Sequence, residues 1–293
     1  MENTTTGTDL TFEARALVLV SACYVGSGVV SCLCSASTVL TVSLTPKLRS
    51  QKEYVLLCGL AFADAVDGVG MTYAGVHRVL VLLLWTSAPC TGMMLMLSVD
   101  RLVAVNRPFV YFGLTRTYAL RVVSVAFLAG LVSYAGSWLF AYDRLQSMML
   151  SPICLWTALM PTYTTALVVT AWLQSCSSVL LYVAVALLFS RMETNQSLKR
   201  HMDPSGPCGL PALQRRVTVT FGLSAVATAL FDAGPKLAIS IFLAHSEGTI
   251  SDYANIPVLG SFALQKCNPT ANFLLLIVRH GEFRKAFCRI VNW

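Results

Sequence analysis

Seven long apolar runs constrain the fold of this chain more than any other feature of its sequence. Each is at least as long as the roughly 20 apolar residues that a membrane-spanning helix needs. The runs cover residues 16–42, 53–76, 79–101, 119–141, 160–190, 217–244 and 254–278. Only 12% of the residues are charged, against about a quarter in soluble domains, so water is not the main solvent. The predicted fold class is therefore an all-α membrane protein, a seven-transmembrane helix bundle.

The distribution of basic residues predicts the orientation of the bundle. Sixteen of the 21 Lys and Arg fall in the first, third and fifth connections and in the C-terminal tail. Because cytoplasmic loops carry the excess of Lys and Arg, we expect an extracellular N-terminus and a cytoplasmic C-terminus in the plasma membrane. The predicted parts are an extracellular tail (1–15), the seven-transmembrane core (16–278) and a cytoplasmic eighth helix with a tail (279–293). The net charge of +7 then faces the cytoplasm and membrane lipids, and needs no nucleic-acid partner.

Two surface positions are candidates for modification. Asn3 begins an Asn-Thr-Thr glycosylation sequon, which is meaningful only if this end is extracellular. Cys288 follows the last apolar run among basic residues, so it is a palmitoylation candidate, with an unmodified surface cysteine as the alternative. The spacing of the ten cysteines matches no metal site, and no metal is expected.

A charged pair, Asp100 and Arg101, closes the third apolar run in the stretch LSVDRLVAVNRP. Charges are costly in hydrocarbon, so the pair is expected where the helix leaves the bilayer on its basic side. Cys90 lies eleven residues before Arg101, almost three helical turns, and so shares a helix face with it. This places Cys90 toward the interior, together with Asp64.

Other charges fall inside the apolar runs, where an ionisable residue is a functional-site hypothesis by default. Asp64 lies near the middle of the second run, with Asp67 one turn further on, and a purely structural Asp64 is the alternative. Asp232 and Lys236 are spaced at i and i+4 in the sixth run, as suits a helical ion pair. They either neutralise only one another or bind a polar ligand. Lys266, in the seventh run, can pair with Asp232.

Three further segments carry structural predictions. Pro235 should kink the sixth helix. Residues 191–212 contain three prolines and two glycines and are predicted to be a loop. Only a few residues, Val76 to Arg78, are left for the turn between the second and third spans, because Asp64 and Arg101 lie so close in the sequence.

Several of these motifs resemble those of rhodopsin-like (class A) G-protein-coupled receptors. Asp100-Arg101-Leu102 resembles the Asp-Arg-Tyr signature that ends the third helix, and LAFAD around Asp64 resembles the second-helix motif. The proline of the sixth span and the ending around Asn272 with GEFRKAF complete the likeness. The ending is most similar to nematode-type serpentine chemoreceptors of class SX.

The resemblance implies a chemosensory receptor that activates a heterotrimeric G protein when an extracellular ligand binds. It implies coupling at Asp100 and Arg101, with Tyr182 meeting Arg101 on activation and Asn272 at the position of the seventh-helix motif. A sodium ion near Asp64 is the one cofactor it suggests. The polar network implied there comprises Asp64, Cys90, Asn268, Asn272 and Ser35, and the ligand-pocket candidates are Asp232, Lys236 and Lys266. Lys266 stands where opsins attach retinal, but the pocket tryptophan of that pattern is absent, so retinal is not expected.

The chain departs from the family pattern at several positions. Ser35 replaces the usual asparagine of the first helix, and Val76 stands where a disulfide cysteine is usual. Arg215 and Arg216 occupy the neighbourhood of an acid that often restrains the signature arginine, so that contact would be repulsive. We therefore expect elevated basal signalling.

Two other classes stay open at this point. The intramembrane charges would suit a transport protein for ions or small solutes, although no internal repeat is evident. A receptor-derived chain that no longer signals would also account for the missing motifs. An enzyme is not expected, because HExxH, Gly-x-Ser-x-Gly and P-loop patterns are absent.

Overall fold

The structure is a computed structural model that describes residues 7–77, 81–145, 161–202, 222–223, 226–238, 260 and 264–291. The helices are α1 (Gly7–Leu44), α2 (Pro46–Arg49), α3 (Lys52–His77), α4 (Val81–Asn106), α5 (Pro108–Gly113), α6 (Arg116–Leu145), α7 (Pro161–Met202), α8 (Cys267–Arg279) and α9 (Gly281–Val291). A π-helical turn, Ala229–Ala233, lies between α7 and α8 in the sequence. No strand occurs among these residues, so the all-α prediction is confirmed for this part of the chain.

Five helical stretches are long and apolar enough to cross a membrane. They are Ser21–Leu44, Lys52–His77, Thr86–Asn106, Arg116–Gly136 and Val169–Arg191. These five overlap the first five predicted spans. Helix α3 ends at His77 and α4 begins at Val81, so Val76 and His77 belong to α3 rather than to the predicted turn. The structure describes parts of the sixth and seventh predicted spans, which include the π-helical turn and α8. The chain thus has the helices of a multi-pass membrane protein.

The prediction of a loop over residues 191–212 is wrong in its first half. Helix α7 continues through residues 191–202 and ends at Met202. The physical reason lies in where the helix breakers fall: every proline and glycine counted for the loop follows residue 203, whereas 191–202 contains none. Residues 203–212 lie outside the described part of the chain.

Helix α4 is central to the bundle, since it contacts α3, α6 and α7. Its buried side chains Met93, Met94 and Leu97 pack against residues of those helices. The other members of this cluster are Val55, Leu56, Leu60, Ala63, Ala119, Ala126 and Tyr182. This position of α4 brings Asp100 and Arg101, in its last turns, among side chains of its neighbours.

Helices α1 and α3 approach closely along a line of small residues. A Cβ added to Gly28 would lie 2.8 Å from the carbonyl oxygen of Gly68, and one added to Gly75 would lie 2.9 Å from the Cβ of Tyr24. Small residues let helix backbones approach in a membrane, where burial against lipid tails gives no hydrophobic drive. Gly26 lies on the exposed face of the same helix, and a Cβ added to it would have no neighbouring atom within 4 Å.

Two breaks in the helices shape the end of the bundle that contains Arg101, called the Arg101 end below. Helix α4 stops at Asn106 because Pro108 disfavours helical geometry at Arg107 and then starts α5 at its first position. Helix α8 ends at an extended His280, after which α9 begins at Gly281. Phe283 of α9 is fully buried in a second cluster with Val42, Leu48, Tyr54, Leu276 and Ala286. This cluster fixes α9 against α1, α2 and α3.

Candidate functional site

Asp100 and Arg101 form a buried ion pair at the end of α4. The Arg101 Nε donates to Asp100 Oδ2 at 3.0 Å, and its Nη2 makes a second contact with the same oxygen. The side chain of Arg101 is 4% exposed and that of Asp100 is fully buried. A charged pair at this depth is stable only when further hydrogen bonds compensate for its lost hydration.

Tyr111 of α5 supplies that compensation. Its hydroxyl accepts a hydrogen bond from Arg101 Nη2 at 2.6 Å and donates one to Asp100 Oδ2 at 3.2 Å. Burial raises the pKa of Tyr111 above its usual range, and Asp100 raises it further against the opposing effect of Arg101. The hydroxyl therefore stays protonated and can donate a hydrogen bond to the Asp100 carboxylate.

Lys52, the first residue of α3, fixes the position of α5. Its ammonium donates to the carbonyl oxygens of Tyr111 and Leu114, the latter at 3.2 Å. It also lies 3.7 Å from the centroid of the Tyr111 ring, within the range of a cation–π interaction. Carbonyl groups at the end of a helix have no partner within it, so a lysine there stabilises the short α5.

Tyr182 of α7 is buried in the same part of the bundle. It is hydrogen-bonded with Ser98 and lies within electrostatic range of Arg101. Between α4 and α7, the hydroxyls of Ser98 and Ser178 lie 2.6 Å apart, and Ser178 also donates to the Met94 carbonyl. Tyr182 and Arg101 are thus buried in the same part of the bundle.

A second buried charge cluster joins α3, α4 and the start of α8. Lys266 forms an ion pair with Asp67, and the Thr86 hydroxyl donates to the other carboxylate oxygen of Asp67 at 3.0 Å. Asp64 lies one turn away on α3 with the Cys90 thiol as a neighbour, and this thiol donates to the Thr86 carbonyl at 3.8 Å. The expectation that Lys266 pairs with Asp232 is wrong: α3 places Asp67 next to Lys266, whereas Asp232 is bound within its own helix.

Asp232 and Lys236 form the i,i+4 pair that their spacing predicts. Lys236 Nζ lies 2.7 Å from Asp232 Oδ1, and the side chains are 13% and 16% exposed, respectively. Ser175 of α7 donates to the other oxygen of Asp232 at 2.6 Å and accepts from Lys236 at 3.2 Å. This triad can present both charges and a hydroxyl to a polar ligand.

Pro235 follows the π-helical turn that contains Asp232. Because proline has no N–H and its ring crowds the preceding turn, a widened turn relieves the clash. The Gly234 N–H bonds the Ala229 carbonyl, five residues back, as the π pattern requires. A local irregularity therefore lies where the sequence predicts a kink.

The remaining members of the predicted polar network are distributed over two helices. Ser35 is buried in α1. Asn268 is buried in the first turn of α8 and its side-chain oxygen lies 3.4 Å from the Thr228 hydroxyl, while Asn272 is half-buried one turn later. Among the described residues, no group of three or more His, Cys, Asp or Glu could hold a metal ion.

Of the two predicted modification sites, the structure describes Cys288 but not Asn3. Cys288 is exposed on α9, beside the exposed basic residues Arg284, Lys285 and Arg289. Asn3, Arg215 and Arg216 lie outside the described residues.

Sequence reasoning missed the residues that hold these sites together. Lys52 and Tyr111 lie outside the seven predicted spans, at the start of α3 and in the short α5. Thr91 donates a 2.8 Å hydrogen bond to Gln174, which joins α4 to α7. Pro89 lies within α4, opposite Gly130 of α6, where an added Cβ would come within 2.8 Å of its ring. The only available signal for the Thr91–Gln174 contact was a polar residue within each apolar run.

In comparisons with known proteins, no family model matches this chain and no curated protein matches it.

Proposed function

We propose that this protein is a G-protein-coupled receptor of the plasma membrane, with an extracellular N-terminus and a chemosensory role. An extracellular ligand would shift a pre-existing equilibrium between helix arrangements, and the Arg101 end would open toward a heterotrimeric G protein in the cytoplasm. The observation that carries the proposal is the Asp100–Arg101 pair, buried at the end of α4 and bridged by Tyr111.

The pair is built as a restraint that can be released. The Tyr111 hydroxyl bonds both charges, so a displacement of α5 that removes Tyr111 would weaken the pair. Next to it, α5 exposes Phe109 and Phe112, whose side chains are 92% and 61% accessible. Exposed aromatic residues beside a buried switch are a suitable docking surface for a partner protein.

The Asp232–Lys236–Ser175 triad is the proposed ligand contact. It is less deeply buried than the Lys266–Asp67 pair, and it joins α7 to the irregular π-helical turn. A ligand that competes for Asp232 or Lys236 would change the contact between these two elements. Helix α7 also contains Tyr182, which lies within electrostatic range of Arg101. A movement of α7 caused by ligand would therefore also move Tyr182 at the Arg101 end.

The test measures basal G-protein recruitment in intact cells, with surface protein counted through an N-terminal extracellular tag. Arg101→Ala should abolish recruitment, whereas Arg121→Ala, an exposed arginine on α6, should leave it near the wild-type level. Equal recruitment by Arg101→Ala and wild type, at equal surface amounts, would refute the proposed mechanism.

The same assay tests the basic pair Arg215 and Arg216. If these residues repel Arg101, wild type should recruit G protein without ligand and Arg215→Glu should recruit less. A wild type that is already silent contradicts the expected basal activity. A surface-exposed but silent chain is then tested for ion flux in liposomes, where flux would favour the transport alternative and its absence a non-signalling receptor.

A further inference from the structure

The cluster of Asp64, Asp67 and Lys266 contains two carboxylates and one ammonium in the interior of the bundle. All three residues are buried, and the carboxylates lie three positions apart on α3. Residues at this spacing are neighbours on a helix surface. Two carboxylates so placed in a medium of low dielectric are stable only when a proton or a positive charge close by neutralises them.

Lys266 supplies that charge from within the chain. Its ammonium pairs with Asp67 and lies within electrostatic range of Asp64. The second oxygen of Asp67 already accepts the Thr86 hydroxyl, so both oxygens of this carboxylate are occupied. Lys266 is also the residue at the start of α8, where the helix dipole disfavours a cation, so its ammonium depends on the carboxylates.

A free sodium ion beside Asp64 does not fit the residues present. Sodium is a hard cation that prefers oxygen ligands, whereas a neighbour of Asp64 is the thiol of Cys90, a soft sulfur ligand. The Thr86 hydroxyl donates to Asp67, and the other oxygen of Asp67 accepts from Lys266. The ammonium would also repel a second cation at this distance, because water does not screen charges in the interior.

We propose that Lys266 is a tethered cation that fills a monovalent-cation site made by Asp64, Asp67 and Thr86. Wild-type protein therefore takes no sodium there. Removing the ammonium opens the site and exposes two carboxylates and a hydroxyl, which are suitable ligands for sodium. The inference is independent of signalling, because it concerns only the charge balance of the bundle.

The experiment measures the thermal unfolding midpoint of purified full-length protein in detergent, in sodium chloride and in choline chloride at equal ionic strength. Lys266→Met keeps most of the side-chain length and removes the charge. Lys47→Met is the control, since Lys47 forms an exposed ion pair with Glu282 outside the buried charge clusters. Wild type and Lys47→Met should each unfold at the same temperature in both salts.

Lys266→Met should unfold at a lower temperature than wild type in choline and recover part of the difference in sodium. A midpoint of Lys266→Met that does not respond to sodium overturns the proposal. So does a sodium-specific rise in wild type, and that measurement needs no variant. If Lys266→Met does not accumulate, Lys266→Gln is measured in the same way, and the same two results decide.

Discussion

The hydroxyl of Tyr111 donates a hydrogen bond to the carboxylate of Asp100 across 3.2 Å, although the two residues belong to different helices. The contact ties the short α5 to the end of α4, and the same hydroxyl accepts from Arg101. A side chain outside the long helices therefore contributes to holding both members of the charged pair. This arrangement leads to the first two predictions.

Tyr111→Phe should raise basal G-protein recruitment per surface receptor. The variant keeps the ring that contacts Lys52 but removes the hydroxyl that stabilises the Asp100–Arg101 pair. A hydrogen bond to a charged group contributes about 1.5–3 kcal/mol, so a rise of roughly tenfold is the expected order of magnitude. Tyr73→Phe, on the exposed face of α3, is the control and should have no effect. Recruitment that falls with Tyr111→Phe would contradict the restraining role.

Lys52→Met should loosen α5. The ammonium is the donor to two carbonyl oxygens, of Tyr111 and of Leu114, and methionine cannot replace it. Hydrogen–deuterium exchange of the amides of residues 109–114 should accelerate in the variant. Lys47→Met is the matched control, because Lys47 makes an exposed ion pair with Glu282 and does not bond α5. Unchanged exchange in Lys52→Met would mean that other contacts hold α5.

Thr91 and Gln174 should be energetically coupled. Their side chains share a 2.8 Å hydrogen bond between α4 and α7, in a part of the bundle with little access to water. A double-mutant cycle with Thr91→Val and Gln174→Leu should give a coupling of about 0.6 kcal/mol, and at most about 1.7, as found for interhelical hydrogen bonds in membranes. The measurement is the unfolding free energy in detergent, and strictly additive effects would show that the bond contributes nothing.

Gly28→Val should reduce the thermal stability and the surface amount of the protein. A Cβ at Gly28 would lie 2.8 Å from backbone atoms of Gly68 and Thr72, which cannot move without separating α1 from α3. Gly26→Val places the same side chain two residues earlier, where nothing lies within 4 Å. The control should therefore behave like wild type, and equal losses in both variants would indicate an effect of helix propensity rather than of packing.

The sequence alone determined the helical class and the approximate limits of the first five apolar helices, which are long enough to cross a membrane. These follow from local quantities: the length of each apolar run, the low charge content and the positions of proline and glycine. The i,i+4 pair of Asp232 and Lys236 was equally predictable, because both residues lie on one helix. The loop prediction failed at 191–202 because breakers that follow residue 203 were counted for the whole segment.

Only the tertiary structure decided which charges and hydroxyls meet across helices. Lys266 binds Asp67 rather than Asp232, and Tyr111 reaches Asp100 and Arg101, because helix packing sets the relative rotation and height of each helix. Hydropathy has no information about either quantity, since many rotations bury an apolar helix equally well. Close approaches such as that of α1 and α3 select one rotation of each helix. The partners of the buried polar groups then follow from that rotation.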